Sequence, residues 1–318
     1  MKITVVGAGG NVGATVSLTL AQRDFAHQVV LLDLARTEGE KTFHPSVGRG
    51  LDQWQTAPIH LFDTRLKGTT DYADTAGSDI CVITAGVPRK PGMSRDDLLS
   101  INAKIVESVT RNLIAHSPDT ILIVVSNPLD LMTHVAWKAS GLPAHKVMGM
   151  AGILDTARYR AFLAEALDVS PKDIQALILG GHGDTMVPLP RYTTVAGIPV
   201  TQLIDKPRLD AIIERAKVGG GELVGLMGTS AWYAPGAAAA QMAEAIALDQ
   251  NRIFPCAVHL TGQYGIRDLF VGVPVKLGDG GVKQIIEVDL TADEKALLDN
   301  SADAVRGMMA DLDRILSS

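Results

Sequence analysis

The sequence predicts an α/β protein, in which a doubly wound parallel sheet is followed by an α+β domain. In the first half, short runs that are apolar on both faces alternate with amphipathic segments, as expected for strands covered by helices on both sides. In the second half, longer helical patterns precede strands that are separated by Gly-rich turns. The apolar runs of the first half are Ile3–Val6, Val29–Leu32, Ile80–Thr84 and Ile121–Val125.

The remaining elements follow from periodicity and capping signals. Thr291 and Glu294 form a capping-box pattern that opens the last helix. A change in composition near residues 146–152 divides the chain into a domain of residues 1–148 and a domain of residues 149–318. The predicted helices are Asn11–Arg23, Asp97–His116, Leu154–Leu167, Arg208–Val218, Ala237–Leu248 and Ala292–Leu316. The predicted antiparallel strands are Arg252–Leu260, Phe270–Leu277 and Val282–Val288.

Composition narrows the classes of function. The chain has 318 residues, of which 47% are hydrophobic and 20% charged, with a formal net charge of −6. Mild acidity without blocks of like charge argues against nucleic acid or an anionic membrane as a partner. The longest apolar runs are too short to span a bilayer, and only Met1 and Lys2 precede the first strand, so we expect a cytoplasmic protein without a targeting peptide.

The two cysteines, Cys81 and Cys256, are too few for a disulfide framework or a thiolate metal site. Cys81 lies inside an apolar run and is expected to behave as a small hydrophobic residue. No histidine has metal-ligand spacing next to a carboxylate, so we expect no metal.

A glycine-rich turn, Gly7-Ala8-Gly9-Gly10-Asn11-Val12-Gly13, directly follows the first strand. Glycine permits the dihedral angles of a tight strand-to-helix turn and lets a pyrophosphate approach bare backbone at a helix N-terminus. Val12 stands where a G-x-G-x-x-G pattern has its third glycine, whereas Gly7, Gly10 and Gly13 fit G-x-x-G-x-x-G. The turn alone is compatible with a phosphate site or with a purely structural role.

Asp33 ends the second strand, twenty positions after Gly13. An acidic side chain there hydrogen-bonds a ribose 2′-hydroxyl and repels a 2′-phosphate, which favours NAD over NADP. The alternative is an ordinary aspartate that begins a loop. No P-loop pattern occurs in the chain.

Polar residues at two further strand ends suggest a substrate site. Arg89 and Arg95 flank a Pro-Gly pair and could belong to a mobile lid or to a solvated basic loop. Asn127 follows the apolar run Ile121–Val125 and closes that strand. It either points into the ligand crevice or forms an Asn-Pro turn.

The second half contributes an acid/base candidate. His182 lies among glycines in Gly180-Gly181-His182-Gly183-Asp184, where few side chains can pack on it, so it is the best candidate among the eight histidines. Asp155 and Arg158 are three residues apart on a predicted helix, and an ion pair is the simplest interpretation of that spacing.

Together these segments resemble the lactate/malate dehydrogenase family, and most closely its lactate dehydrogenase-like malate dehydrogenase branch. The resemblance runs through nearly the whole chain in the family's order and implies a Rossmann NAD domain followed by a catalytic domain. The matching stretches are Gly7–Gly13, Asp33, Ile83–Asn102, Val125–Asp130, Gly152–Arg160, Gly180–Pro190, Gly219–Gln241 and Leu260–Pro274.

The resemblance implies a role for each catalytic and substrate-binding candidate. His182 resembles the residue that exchanges a proton with the substrate oxygen, and Asp155 the carboxylate that orients its imidazole. Arg158 resembles the residue that binds the C1 carboxylate, and Arg95 the one that polarises the reacting carbonyl. Asn127 is implied to hydrogen-bond the substrate.

The resemblance also implies that NAD is the cofactor. The cofactor-binding residues are then Gly7, Gly9, Gly10, Asn11, Val12, Gly13, Asp33, Asn102, Val125 and Asn127. Because the turn carries one glycine more than is usual in this branch, either Gly9 or Gly10 is the residue that contacts the pyrophosphate.

Arg89 decides the predicted substrate. The malate-specific members place Arg at this lid position, where the lactate-specific members usually place Gln, and a second substrate carboxylate needs a cationic partner. A dicarboxylate pair, malate and oxaloacetate, is therefore expected. The family also implies a homodimer or homotetramer, and the segment of residues 43–50 departs from the family pattern.

Two other functions fit parts of the sequence. The first is a dehydrogenase of another 2-hydroxy acid such as lactate, and Arg89 argues against it. A non-catalytic nucleotide-sensing module has no need of His182, Asp155, Arg158 and Arg95 together.

Overall fold

In the computed structural model, the described residues are 1–87 and 95–317, and the side chains of Arg95 and of residues 315–317 lie outside that description. Strands and helices are numbered in chain order. The first half consists of β1 (Lys2–Val6), α1 (Asn11–Arg23), β2 (Gln28–Leu32), β3 (Arg36–Glu38), β4 (Lys41–Phe43), α2 (Pro45–Gln55), α3 (Ala57–His60), β5 (Arg65–Thr69), β6 (Ile80–Ile83), α4 (Arg95–His116), β7 (Ile121–Val124), α5 (Leu129–Ser140) and β8 (Val147–Gly149).

The second half contains longer helices and a mixture of short and long strands. It consists of α6 (Gly152–Leu167), β9 (Ile174–Gln175), β10 (Ile178–Leu179), β11 (Val187–Pro188), β12 (Thr194–Val195), β13 (Ile198–Pro199), α7 (Lys206–Met227), α8 (Tyr233–Ala247), β14 (Arg252–Thr261), β15 (Arg267–Gly278), β16 (Gly281–Ile285) and α9 (Ala292–Ser317). Single 3-10 turns lie at Tyr72–Thr75, Ala144–Lys146, Pro171–Asp173, Pro190–Tyr192, Val200–Gln202 and Gln263–Gly265.

The main sheet has nine strands in the order β16-β15-β14-β8-β7-β6-β1-β2-β5. The predicted doubly wound parallel part is confirmed, since β8, β7, β6, β1, β2 and β5 are parallel neighbours. β1 lies between β2 and β6, so the chain reverses its winding direction there, and a crevice forms at the carboxyl ends of these strands.

The antiparallel strands of the second half continue this sheet. β14 pairs with β8 through Ala257 and Gly149, and β15 and β16 follow outward. Small sheets form separately from β3 and β4, from β10 and β11, and from β9, β12 and β13. The two halves of the chain therefore share one sheet.

The core follows the sheet across both halves. One apolar cluster includes Ile3 and Leu122 of the parallel strands, Val273 of β15 and Leu312 of α9. Cys81 is fully buried in this cluster, as its apolar run predicts. A second cluster includes Tyr159 and Leu163 of α6 and Leu209 of α7. Among the described residues, no helix has the length and apolar character needed to cross a membrane.

The last helix begins with the predicted capping box. The Thr291 N–H donates to Glu294 Oε2 at 2.8 Å, and the Glu294 N–H donates to Thr291 Oγ1 at 3.2 Å. These reciprocal bonds satisfy two donors that the helix itself leaves free. α9 then packs on α4, α5 and β15, which ties the end of the chain to the main sheet.

Candidate active site

A first cleft of about 710 Å³ opens at the carboxyl ends of β1, β2 and β6. Its wall contains Gly7 and Gly10 from the turn after β1, Asp33 after β2, and Ala85 and Val87 after β6. The predicted glycines and the predicted acidic residue therefore meet at the point where the sheet reverses its winding.

The glycine-rich turn leaves no room for side chains at two of its positions. Gly7 has φ +81°, and a Cβ there would lie 2.9 Å from the backbone nitrogen of Ala85. A Cβ on Gly13 would lie 2.7 Å from Ala8 Cα. Gly10 is the N-cap of α1 and supplies no capping side chain, so the first backbone N–H groups of the helix are available to an anion.

Gly9 connects the turn to Asp33 and to α2. Its N–H donates to Asp33 Oδ2 at 2.8 Å, and its carbonyl accepts from Arg49 Nε at 2.9 Å. Arg49 Nη2 also donates to Asn11 Oδ1 at 2.9 Å. Of the two glycines that the sequence left as alternatives, Gly10 lines the cleft, whereas the N–H of Gly9 is bound by Asp33.

Of three further predicted cofactor residues, Val125 and Asn127 follow β7, and Asn102 lies in α4. Asn102 is 3% exposed, and its amide accepts the Val87 N–H at 2.8 Å and donates to the carbonyl of Asn127 at 2.8 Å. Val125 is buried, whereas Asn127 is exposed just beyond β7. Asn102 thus joins two loops at the cleft, and direct contact of these residues with a cofactor stays a prediction.

A second cleft of about 370 Å³ brings together the acid/base candidates. His182 follows β10 and lies beside Asp155 and Arg158 of α6. The Nδ1 of His182 is 2.9 Å from Asp155 Oδ2, and Nη1 of Arg158 is 3.5 Å from Asp155 Oδ1. The ion pair predicted from the i,i+3 spacing is present, but the same carboxylate also holds the imidazole.

The carboxylates around His182 determine the direction of its pKa shift. Burial alone lowers the pKa of an imidazole, because it disfavours the charged form. The charge and hydrogen bond of Asp155, with the charge of Asp130, outweigh burial and the opposing Arg158, so the pKa of His182 is raised. The imidazolium form therefore persists to a higher pH than in a free histidine.

α7 forms the wall against which Arg158 lies. A Cβ on Gly219 would be 2.4 Å from Arg158 Cδ, so glycine is required for this close approach. Arg158 Nη1 donates to the carbonyl of Ala216 at 3.4 Å, and its side chain is 13% exposed. A guanidinium held this way presents its remaining N–H donors to the cleft.

The side chains of two predicted residues lie outside the described part of the structure. Arg89 lies outside the described residues, and Arg95 begins α4 with a side chain outside the description. Within the described part of the chain, no group of three or more His, Cys, Asp or Glu side chains could hold a metal ion.

The sequence did not identify three other residues of this region. Arg49 lies in the segment that departs from the family pattern, which was its only signal. Asp130, whose Oδ2 accepts the His182 N–H at 3.0 Å, closes the stretch that begins at Val125. Lys217 of α7 lines the second cleft and had no distinguishing pattern.

The two clefts support different chemistry. The turn and Asp33 offer donors for a diphosphate and an acceptor for a ribose hydroxyl. His182 with Asp155 can give or take a proton, and Arg158 can bind a carboxylate. The arrangement suits acid/base chemistry on a small anionic substrate beside a dinucleotide.

Comparison with known proteins identifies relatives over the full length of the chain. Residues 1–149 match the lactate/malate dehydrogenase NAD binding domain, and residues 153–313 match the lactate/malate dehydrogenase alpha/beta C-terminal domain. The malate dehydrogenase of Salinibacter ruber is 60% identical over 315 residues, which cover 99% of this chain and 98% of that protein.

Solved structures agree with the sequence comparison. The malate dehydrogenase structure from Salinibacter ruber has a TM-score of 0.94 at 57% identity and covers 100% of this chain and 99% of its own. Malate dehydrogenase from Plasmodium falciparum in complex with NADH has a TM-score of 0.90 at 35% identity and covers 99% of both chains.

Proposed function

Because the chain belongs to the lactate/malate dehydrogenase family, we propose that it catalyses the reversible NAD-dependent oxidation of (S)-malate to oxaloacetate. The 60% identity to a malate dehydrogenase supports the substrate. The observation that carries the reaction class is the 2.9 Å contact between His182 and Asp155, with Arg158 in the same cleft.

The first cleft is the proposed NAD site. Bound NADH supplies a hydride for the reduction of oxaloacetate, and NAD accepts one in the reverse direction. The glycine-rich turn, Gly7, Gly9, Gly10, Asn11, Val12 and Gly13, binds the pyrophosphate in this proposal. Asp33 accepts a hydrogen bond from the ribose, because its two oxygens keep lone pairs beyond the bonds from Gly9 and Leu34.

His182 is the proposed proton donor in reduction and proton acceptor in oxidation. A carboxylate accepts only, so Asp155 fixes the tautomer in which Nδ1 carries hydrogen and leaves Nε2 for the substrate oxygen. Asp155 also stabilises the imidazolium that donates the proton.

The proposed substrate contacts are cationic or amide groups. Arg158 binds the C1 carboxylate, and its own approach to Asp155 keeps it in place. Arg95 polarises the carbonyl, Arg89 binds the second carboxylate and Asn127 hydrogen-bonds the substrate. The roles of Arg89 and Arg95 rest on the family resemblance and the sequence.

Several broader expectations also belong to this proposal. The proposed division into an NAD domain of residues 1–148 and a catalytic domain of residues 149–318 is supported by the family matches on either side of residues 150–152. A homodimer or homotetramer, a cytoplasmic location and a role in the tricarboxylic acid cycle stay predictions.

The substrate proposal is tested by NADH oxidation with oxaloacetate and with pyruvate at neutral pH. We expect kcat/KM for oxaloacetate to be about a thousandfold higher, which corresponds to about 4 kcal/mol in transition-state binding. A higher kcat/KM for pyruvate would overturn the substrate assignment but would still support the proposed dehydrogenase reaction.

A variant pair tests the role of Arg89. Arg89→Gln removes the proposed partner of the second carboxylate, so we expect most of the preference for oxaloacetate to be lost. Arg111→Gln is the control, because Arg111 is an exposed arginine of α4 that pairs with Glu107. An unchanged preference in Arg89→Gln would exclude Arg89 as the carboxylate partner.

A further inference from the structure

The loop that carries His182 is held by buried side chains from two other helices. We define the His182 loop as residues 180–185. The Gly181 N–H donates to Ser301 Oγ of α9 at 2.8 Å, and the His182 N–H donates to Asp130 Oδ2 of α5 at 3.0 Å. Ser301 is fully buried, and Asp130 is 3% exposed.

Ser301 binds both ends of the loop. Besides accepting from Gly181, its hydroxyl donates to Thr185 Oγ1 at 3.1 Å. The loop lies directly on α9, since a Cβ on Gly180 would be 2.7 Å from Ser301 Oγ and a Cβ on Gly181 would be 2.9 Å from Val305 Cγ2. The C-terminal helix is therefore the surface on which the His182 loop rests.

Asp130 of α5 holds the loop at the next residue, through the His182 N–H. Its Oδ1 is buried without a hydrogen-bond partner among the described residues, although its Oδ2 accepts the His182 N–H. Burial raises the pKa of Asp130 to about 6, against the lowering effect of that N–H. A buried carboxylate with one free oxygen is unfavourable for folding, so its presence beside the imidazole calls for a role beyond packing.

We propose that Ser301 and Asp130 are positioning residues, which fix the backbone of the His182 loop and keep the imidazole in register with Asp155. This inference rests on the proposed role of His182 in proton transfer. Anchors on two successive N–H groups restrict the backbone of Gly181 and His182, and with it the position of the ring. Because general acid/base catalysis depends on the position of the donor, small displacements are expected to lower kcat by about a hundredfold.

The first experiment compares Ser301→Ala with Ser117→Ala. Ser117 is also buried, accepts one backbone N–H (from Ser78, 3.0 Å) and donates to one oxygen (of Thr75, 2.8 Å). It lies between α4 and β7, at the amino end of the parallel strands. The two substitutions therefore remove equivalent bonds, but only Ser301→Ala releases the His182 loop.

We expect Ser301→Ala to lower kcat for oxaloacetate by about 10- to 100-fold, with KM and the Kd of NADH within about twofold of wild type. Ser117→Ala is expected to lower the unfolding midpoint similarly and to leave kcat unchanged. Equal kcat in the two variants would overturn the proposal for Ser301.

The second experiment separates the hydrogen bond of Asp130 from its charge. Asp130→Asn keeps an oxygen that can accept the His182 N–H, whereas Asp130→Ala does not. We expect Asp130→Asn to retain at least about ten times the kcat of Asp130→Ala at pH 6. Equal loss in both variants would overturn the positioning role of Asp130.

The pH profile gives a readout that a purely structural role would not change. The charged groups that share the second cleft or its floor with His182 are Asp155 and Arg158 of α6, Asp130 of α5, Lys217 of α7 and Asp184 of the loop itself. Removing the negative charge of Asp130 lowers the pKa of His182, so oxaloacetate reduction by Asp130→Asn should fall off at lower pH than in wild type. An unchanged pH profile in Asp130→Asn would contradict the proposed effect of Asp130 on the His182 pKa.

A measurement without turnover distinguishes this inference from the proposed function. The ring resonances of ¹³C-labelled histidine, with His182 assigned by its loss in His182→Gln, report the imidazole environment directly. If wild type fails to reduce oxaloacetate, the proposed function fails. A shifted His182 resonance in Ser301→Ala and an unshifted one in Ser117→Ala would still support the loop anchors, and identical spectra would refute them.

Discussion

At the scale of single residues, the charge of His182 is set by a competition between burial and two carboxylates. Burial favours the neutral imidazole, whereas Asp155 and Asp130 favour the imidazolium. Since the pKa is raised, His182, the proposed proton donor for oxaloacetate reduction, keeps its proton above the pH at which a free histidine loses it. In the proposed mechanism the same shift works against malate oxidation, in which the neutral ring accepts a proton.

Asp155→Asn tests this balance. Removing the charge lowers the pKa of His182, so we expect the fall in kcat/KM for oxaloacetate to begin at lower pH, with kcat about a hundredfold lower near neutrality. For malate oxidation the rise with pH should also move to lower pH. Steady-state profiles from pH 5 to 9 in both directions measure this, with Asp210→Asn, an exposed aspartate paired with Lys206, as the control. Profiles that coincide with wild type would contradict the assigned role of Asp155.

The sequence predicted the residues of both clefts better than their contacts. Glycine spacing and Asp33 identified the first cleft because backbone geometry restricts which residues fit there. The sequence could not decide whether Gly9 or Gly10 contacts the pyrophosphate, since that depends on which backbone N–H Asp33 binds. Arg49 was missed for a similar reason: its bonds to Gly9 and Asn11 join segments that are far apart in the chain.

At the scale of elements, prediction succeeded where burial was complete. The strands β1, β2, β6 and β7 are continuous apolar runs, and they are buried in the structure. β5 was missed because it is an edge strand whose residues alternate between exposed and partly buried positions. The predicted helix Arg208–Val218 lies within the longer α7, Lys206–Met227, which also contains the glycines that follow Val218.

Those glycines of α7 give a prediction with an internal control. Gly219→Ala places a methyl group 2.4 Å from Arg158 Cδ, so we expect the guanidinium to be displaced and KM for oxaloacetate to rise about tenfold. Gly225→Ala meets no atom within 4 Å and should raise the free energy of unfolding by about 1 kcal/mol through helix propensity alone. Substrate kinetics and urea unfolding of the two variants measure these effects. Unchanged KM in Gly219→Ala would show that Arg158 does not need this approach.

At the scale of the whole molecule, the two predicted domains share a sheet and a core. β14 joins β8 through Ala257 and Gly149, and α1 packs on α8, where a Cβ on Gly236 would lie 2.6 Å from Thr15 Cγ2. The sequence showed the change of character near residue 149. It could not show the connection across it, because a bridge between residues more than a hundred positions apart leaves no local pattern.

Shared core packing predicts that the halves unfold together. NADH at a hundred times its Kd should stabilise the native state by about 2.7 kcal/mol. We expect NADH to raise the unfolding midpoint by the same amount whether unfolding is followed with a probe in the first half or in the second half of the chain. Variants that retain only Trp54 of α2 or only Trp232 before α8 supply these probes by fluorescence. A shift confined to the Trp54 variant would show that the halves unfold independently.

The bridge between β8 and β14 also limits how such a chain can be recombined. A fragment that ends at residue 149 would leave the edge of β8 open and the face of α1 without its cover from α8. Open strand edges of this kind recruit other chains. A chimaera that exchanges residues 1–149 between relatives therefore has to preserve the β8–β14 pairing and the α1–α8 contact. Besides carrying the proposed catalytic residues, the second half of the chain supplies the strands that cover the β8 edge of the first half's sheet.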